Sequence, residues 1–225
     1  PLLAPRVLHE TDARSDALPH GVVGVLVPHN LPLLHGTLQA LAAMMAGNTV
    51  VVKPSKFTPG VGQGIAELMD RCRLPRGVFN MVQGSGTGIG QRLATHPDLD
   101  ALVFSGAYAS GSTIQRALAD RPELPTLLHL GGKGAAIVVE GCDLQQAVYE
   151  VIVGAYLTAG QRHNSTGRVF VTKGIFDEFC EMLMRRAAMV NVGYGFADGT
   201  FMGPVISENA RSRYRRYGRN LVAAG

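Results

Sequence analysis

Two rhythms alternate along the first half of the chain. "GVVGVLV" (21–27) is a continuous, β-branched apolar run, the pattern of a strand buried on both faces. After a "PHN" break, Leu34, Leu38, Leu41, Ala42 and Met45 recur at helical spacing, and Gly47 is placed to end that helix. "NTVVVK" (48–53) predicts the next strand. Val61, Ile65, Leu68, Met69 and Cys72 predict a second helix, and "GVFNMV" (77–82) a third strand. A Gly-rich turn with a short helix (84–96), the strand "ALVF" (101–104) and a helix from about 109 continue the series. Repeated strand–helix units predict an α/β protein with a parallel, dinucleotide-binding (Rossmann-like) sheet covered by helices on both faces.

Beyond residue 126 the texture changes. "TLLHLGG" and "AAIVV" are two apolar runs close together, followed by a longer helix at about 143–158, the strand "RVFVTK" and a helix at about 175–188. The pattern divides the chain near 130–133. Residues 1–130 form the nucleotide-binding unit on this reading, and 131–225 begin a second α/β unit.

Hydrophobic residues at 46% and charged residues at 17% exclude a disordered or fibrous chain. The net charge of +4 owes much to "ARSRYRRYGRN", with five Arg between 211 and 219. That stretch reads as a solvated helix face, with an anion-binding or partner-binding face as the alternative, and no nucleic-acid motif accompanies it. Three cysteines (Cys72, Cys142, Cys180) without paired spacing indicate neither a disulfide framework nor a zinc site, and point to a reducing cytoplasm. The opening "PLLAPRVLHETDARS" lacks the basic and apolar regions of a signal peptide. No apolar run has the length of a membrane span.

"PHN", "GNTVVVKPS", "LPRGVFNMVQGSG", "FSGA", "LHLGGK" and "TAGQRHN" stand in the order in which similar motifs occur in the aldehyde dehydrogenase superfamily, which the chain resembles over about residues 19–208. "PHGVVGV", "TAGQR" and "MGPVIS" look most like the succinylglutamate semialdehyde dehydrogenase group. "GSGTGIG" alone would be a weak signal; six ordered motifs are a strong one. The resemblance implies NADP or NAD as cofactor, an aldehyde or semialdehyde as substrate, and a homo-oligomer in the full-length form. Family subunits are about twice as long. Their further catalytic segment, with an acidic residue on the nicotinamide ribose, and their oligomerisation strand are not found in these residues.

By resemblance Asn30 belongs to the oxyanion hole with the backbone N–H of position 163, where a donor is worth about 3 to 4 kcal/mol of barrier. An Asn also serves simply to bridge a strand-to-helix turn. Lys53 would reach the adenosine ribose. Lys56 stands where NAD-preferring members commonly carry Glu, so the sign of the charge is reversed and the site leans towards NADP, with a plain surface lysine as the other reading. Gly84, Gly86 and Gly90 let backbone approach a phosphate, or let the helix pack tightly. Pro28, His29, Gly106 and Leu130 fall along the same implied cofactor site. Ala107 takes the place of a family Ser on the pyrophosphate, one hydroxyl contact fewer.

Two departures concern the chemistry. His129 in "LHLGGK" stands at the family's general-base Glu, and His163 in "GQRHN" at its nucleophilic Cys. The register holds, because Asn30 to His129 is 99 positions and His129 to His163 is 34, as in the family. Aldehyde oxidation there needs a thiolate to add to the carbonyl. The expectation is a degenerate homologue that keeps the fold and nucleotide or aldehyde binding, with a structural or regulatory role beside an active paralogue. Two alternatives stay open. One is a hydrolase or hydratase with His163 or His129 as base. The other is a metal site of His129, His163 and His29.

Overall fold

The computed structural model describes residues 6–8, 13–15 and 18–224, so most of the N-terminal stretch read against a signal peptide lies outside the described residues. The chain forms two compact units, Pro1–Leu130 and Gly131–Gly225.

In the first unit, β1 (Arg6–Leu8) and β2 (Ala13–Ser15) form an antiparallel pair. The main sheet is built from β3 (Val22–Leu26), β4 (Thr49–Lys53), β5 (Phe79–Met81), β6 (Ala101–Gly106) and β7 (Thr126–Leu130). All neighbours are parallel, in the order β5-β4-β3-β6-β7. Helices α1 (Pro32–Met45), α2 (Pro59–Arg71), α3 (Gln91–Ala94) and α4 (Tyr108–Ala117) connect the strands. The strand order reverses beside β3, so a crevice opens outside the carboxyl ends of β3 and β6, where open α/β sheets bind ligands.

The apolar runs follow from burial on both faces. Val23, Val25 and Val27 pack with Ala40, Val50 and Val52 on the α1 face, while Leu26 packs with Leu99, Leu102 and Leu118 on the other. Each such valine or leucine contributes about 1.5 to 3 kcal/mol on burial.

The face of α1 corrects a simple reading of its leucines. Leu34, Leu38, Leu41 and Met45 are exposed, and the helix meets the sheet through His35, Gly36 and Ala40. Small residues let it approach its neighbours closely: a Cβ on Gly36 would lie 2.9 Å from Ile65 Cδ1 of α2 and 3.8 Å from Val27 Cγ1 beyond β3. Gly47 ends α1 at φ +86°, donating its N–H to Met44 O (2.9 Å) while Asn48 N donates to Ala43 O (3.1 Å), a Schellman pattern. The short helix expected over 84–96 is a π-turn, Gly86–Gly90, leading into the four residues of α3. Alternating glycines cannot sustain a longer regular helix.

The second unit pairs β8 (Gly134–Val138) with β9 (Thr166–Val171) in parallel, with a register shift between Gly134 and Ala135. Helices α5 (Leu144–Tyr156) and α6 (Phe176–Ala188) cover one face around Val138, Val148, Val151, Ile152 and Phe179. The Asp143 carboxylate caps α5, accepting from Gln146 N at 3.0 Å. The arginine-rich helix α7 (Glu208–Ala224) is exposed from Arg211 to Ala223. Among the described residues no helix is long and apolar enough to cross a membrane.

Candidate active site

The crevice is lined first by the turn between β3 and α1. Asn30 folds its side-chain oxygen onto Leu31 N (3.1 Å), and Leu31 O accepts from His35 N (3.0 Å), which starts the helix behind Pro32. His29 in the same turn meets the edge of the Phe57 ring at 6.0 Å, and Lys56 Nζ lies 5.1 Å from the centroid of that ring.

Strand parity builds the next layer. His129 is the register partner of Ser105 on β6, so both side chains leave the same face of the sheet, the one covered by α1. One turn apart on α1, His35 and Gln39 project onto that face. Gln39 Nε2 donates to Ser105 Oγ at 2.5 Å, and the rings of His35 and His129 meet edge to face with centroids 5.7 Å apart. Ser105 and His35 are buried, His129 is exposed, and Gln39 Oε1 is buried without a hydrogen-bond partner. Neither His35, Gln39 nor Ser105 stood out in the sequence. Their signal was the i, i+4 spacing of two polar residues inside an apolar helix.

Lys53 is nearly fully buried where β4 ends. It donates to Pro54 O and, at 3.3 Å, to Gly84 O, and burial pushes its amine below the ordinary lysine range. The glycine turn wraps its stem: a Cβ on Gly90 would lie 3.3 Å from Lys53 Cε, whereas one on Gly86 would meet open space. Ser85 Oγ accepts from Gly88 N at 3.0 Å and fixes the turn. Ala107 is the N-cap of α4 and has no side-chain capping bond. Gly106 passes the Phe104 ring so closely that a Cβ would come within 2.6 Å, and Leu130 fills the gap over Gly111.

His163 belongs to the second unit. It follows three successive left-handed residues, Thr158 (φ 61°), Ala159 (φ 54°) and Gly160 (φ 63°). Side-chain bonds hold this turn: Gln161 Nε2 donates to Thr158 O (3.3 Å), Gln161 Oε1 accepts from Ile206 N (3.0 Å), and Arg162 Nη2 donates to Val153 O (3.2 Å) on α5. No thiol lies in it. Cys142 is exposed before α5, Cys180 lies in α6, and Cys72 follows α2. Among the described residues no three or more His, Cys, Asp or Glu side chains are grouped to hold a metal ion.

A five-stranded parallel sheet, helices on both faces and a glycine turn at its carboxyl edge define an α/β protein of the doubly wound type. The chain belongs to the aldehyde dehydrogenase family, whose model matches residues 5–225. It is 40% identical over 200 residues to 2-aminomuconic 6-semialdehyde dehydrogenase from a Pseudomonas species, covering 88% of this chain and 40% of that protein. It is 37% identical over 192 residues to alpha-ketoglutaric semialdehyde dehydrogenase from Bacillus subtilis, covering 85% and 39%. The structure of betaine aldehyde dehydrogenase from Staphylococcus aureus in complex with NAD+ superimposes with a TM-score of 0.89 at 33% identity, covering 92% of this chain and 41% of that one. The chain thus spans about two fifths of the length of these relatives.

Proposed function

We propose that this chain supplies the nucleotide-binding domain (1–130) and part of the catalytic domain (131–225) of an aldehyde dehydrogenase-type protein that has lost thiol-dependent aldehyde oxidation. One observation carries this reading: the turn before position 163 presents His163 and no thiol, and none of the three cysteines lies in it. With His129 at the base position, neither the thiolate that adds to an aldehyde nor the carboxylate that frees the acyl product is present. By the family pattern the Asn30 amide is kept as an oxyanion donor in the first unit. The role left is structural or regulatory, beside an active paralogue. Semialdehyde dehydrogenases among the relatives favour a semialdehyde ligand, and the flanking motifs favour the succinylglutamate type. In full-length form the protein assembles as a homo-oligomer in a reducing cytoplasm.

A nicotinamide dinucleotide fits the first unit. Open space at Gly86 and the uncapped start of α4 at Ala107 suit a pyrophosphate, with one hydroxyl contact fewer. Bound there, the nicotinamide supplies a hydride acceptor. Lys53 and Lys56 would take the adenosine ribose. Lys56 over Phe57 is an exposed cation–π contact, worth about 0.5 to 1 kcal/mol, whereas a charge-assisted bond to a 2′-phosphate is worth about 1.5 to 3. The phosphate wins, so the preference is for NADP.

Fluorescence titration with NADPH and NADH, beside an aldehyde-oxidation assay on the full polypeptide, tests the reading. Nucleotide binding without turnover is expected, with NADPH tighter by about tenfold or more and the order erased or reversed by Lys56→Glu. Equal affinities would refute the cofactor preference. Family-like aldehyde oxidation, abolished by His163→Ala, would refute the loss of chemistry.

A further inference from the structure

We propose that the arginine face of α7 is a docking surface for an acidic helical segment of a partner protein, one that repeats Asp or Glu at every turn. α7 carries five Arg against Glu208, with no Lys and no Asp, and its net +4 equals the net charge of the whole chain. The excess positive charge is thus concentrated on one helix. The surface lies wholly within the second unit, and it does not depend on the loss of aldehyde oxidation.

Helical spacing sorts the side chains of α7. At about 3.6 residues per turn, Tyr214, Tyr217 and Leu221 share one side. Ser212, Arg215, Arg216 and Arg219 share the opposite side, and Arg211 and Arg213 border the two. Lys133 Nζ lies 5.3 Å from the centroid of the Tyr217 ring, which ties the tyrosine side to the residues before β8 in the same unit. The arginine side is left to solvent, and residues 211–223 are exposed throughout. Glu208 pairs with Arg211 at 2.9 Å and accepts from Ser212 Oγ at 3.4 Å. Among the described residues Arg213, Arg215, Arg216 and Arg219 make no ion pair. Like charges one turn apart, as in Arg211, Arg215 and Arg219, oppose the helix that carries them, and a row of carboxylates relieves that repulsion.

Charge complementarity and geometry together select the partner. The planar fork of Arg binds a carboxylate through two parallel hydrogen bonds, which a Lys cannot do. Neighbours one turn apart on a helix stand about 5 to 6 Å apart at Cβ, so acidic residues at the same spacing on a second helix meet Arg215 and Arg219 in register. A single nucleic-acid strand would need aromatic faces beside its phosphates, but Tyr214 and Tyr217 lie on the other side. Glu208 stands on the arginine side and would oppose a continuous phosphate row, whereas a partner helix can place a neutral residue there. A helix lying on a membrane buries its apolar side, and here that side holds Tyr217 against Lys133.

Fluorescence anisotropy of a labelled helical peptide with Glu at every fourth position, titrated with the full polypeptide, tests the surface. Binding should be saturable and weaken as salt rises. Arg215→Gln/Arg219→Gln should weaken it about tenfold, the loss expected for two exposed ion pairs, and Arg215→Lys/Arg219→Lys should recover part of that. A peptide of the same composition with its Glu residues in one block should bind more weakly. Circular dichroism on each variant reports whether the helix is kept. If the Gln variant loses it, the comparison of spaced with blocked peptide on the unmodified chain decides. Equal binding of the two peptides overturns the proposal, and so does spaced-peptide binding that a folded Gln variant retains. Tighter binding of a DNA oligonucleotide or of phosphatidylserine vesicles would assign the face to that partner instead. Self-association of the chain at low salt that the Gln variant abolishes would assign it to a second copy. Aldehyde-driven reduction of NAD(P) is read on the same sample without peptide, so the proposed function stands or falls separately.

Discussion

Replacing Ala159 by Gly probes the strain in the turn that presents His163. Ala159 sits at φ 54°, ψ 35°, between Thr158 in the same left-handed region and Gly160. An L residue with a Cβ loses about 1 to 2 kcal/mol there, because Cβ crowds the following carbonyl oxygen. Glycine removes that crowding but gains freedom in the unfolded chain, which costs about 0.5 to 1 kcal/mol. Ala159 makes no side-chain hydrogen bond that the exchange would forfeit, so the balance favours the variant by about 0.5 to 1 kcal/mol. In a chain of this size, that raises the melting temperature by about 1 to 4 °C. Thr158 is the poorer choice, because its Oγ1 donates to Leu157 O at 2.5 Å and that bond would be lost. Differential scanning calorimetry on Ala159→Gly reads the effect. A lower melting temperature than the parent would mean that the turn carries no relievable strain.

Asp143→Ala should cost about 1 kcal/mol in urea unfolding, since the carboxylate accepts from Gln146 N at the start of α5; an unchanged midpoint would show that water replaces the cap. Lys53 gives a pH signature: burial lowers its pKa in the folded state, so between that value and 10.5 the unfolded chain binds more protons than the folded one. Stability should therefore rise as pH climbs through that alkaline window and be lost as pH falls back through it. Lys53→Met should lack the increment, measured as denaturant midpoints against pH.

The strands were legible because burial on both faces leaves an unbroken apolar run, as in Val22–Leu26 and Thr49–Lys53. Gly47 was legible because an αL cap favours glycine. The face of α1 was not, since hydrophobic periodicity assigns the core to Leu34, Leu38 and Leu41, whereas the sheet receives Gly36 and Ala40. Close approach of a helix to a sheet selects small residues, and size is invisible to a hydrophobicity pattern. The strained turn at Thr158 and Ala159 was equally hidden, because neither residue advertises a positive φ. Asn30, His129 and His163 stood out only through motif order, while His35 emerged only when parity on β7 and helical spacing on α1 were combined in space.

That combination also bears on what restoring the family residues would achieve. His129→Glu with His163→Cys returns a carboxylate and a thiol to their positions, but it leaves His35 beside residue 129. A carboxylate there would stand within ion-pair reach of the His35 imidazole and would favour its protonated form. The pair would hold the carboxylate in place and weaken it as a base, because a proton accepted by Glu would dissolve the ion pair. An imidazole at 129 brings no carboxylate charge to that ring. Restoring a carboxylate at 129 therefore also changes the surroundings of a buried histidine in the helix above it, so the two family residues cannot be returned without answering for His35.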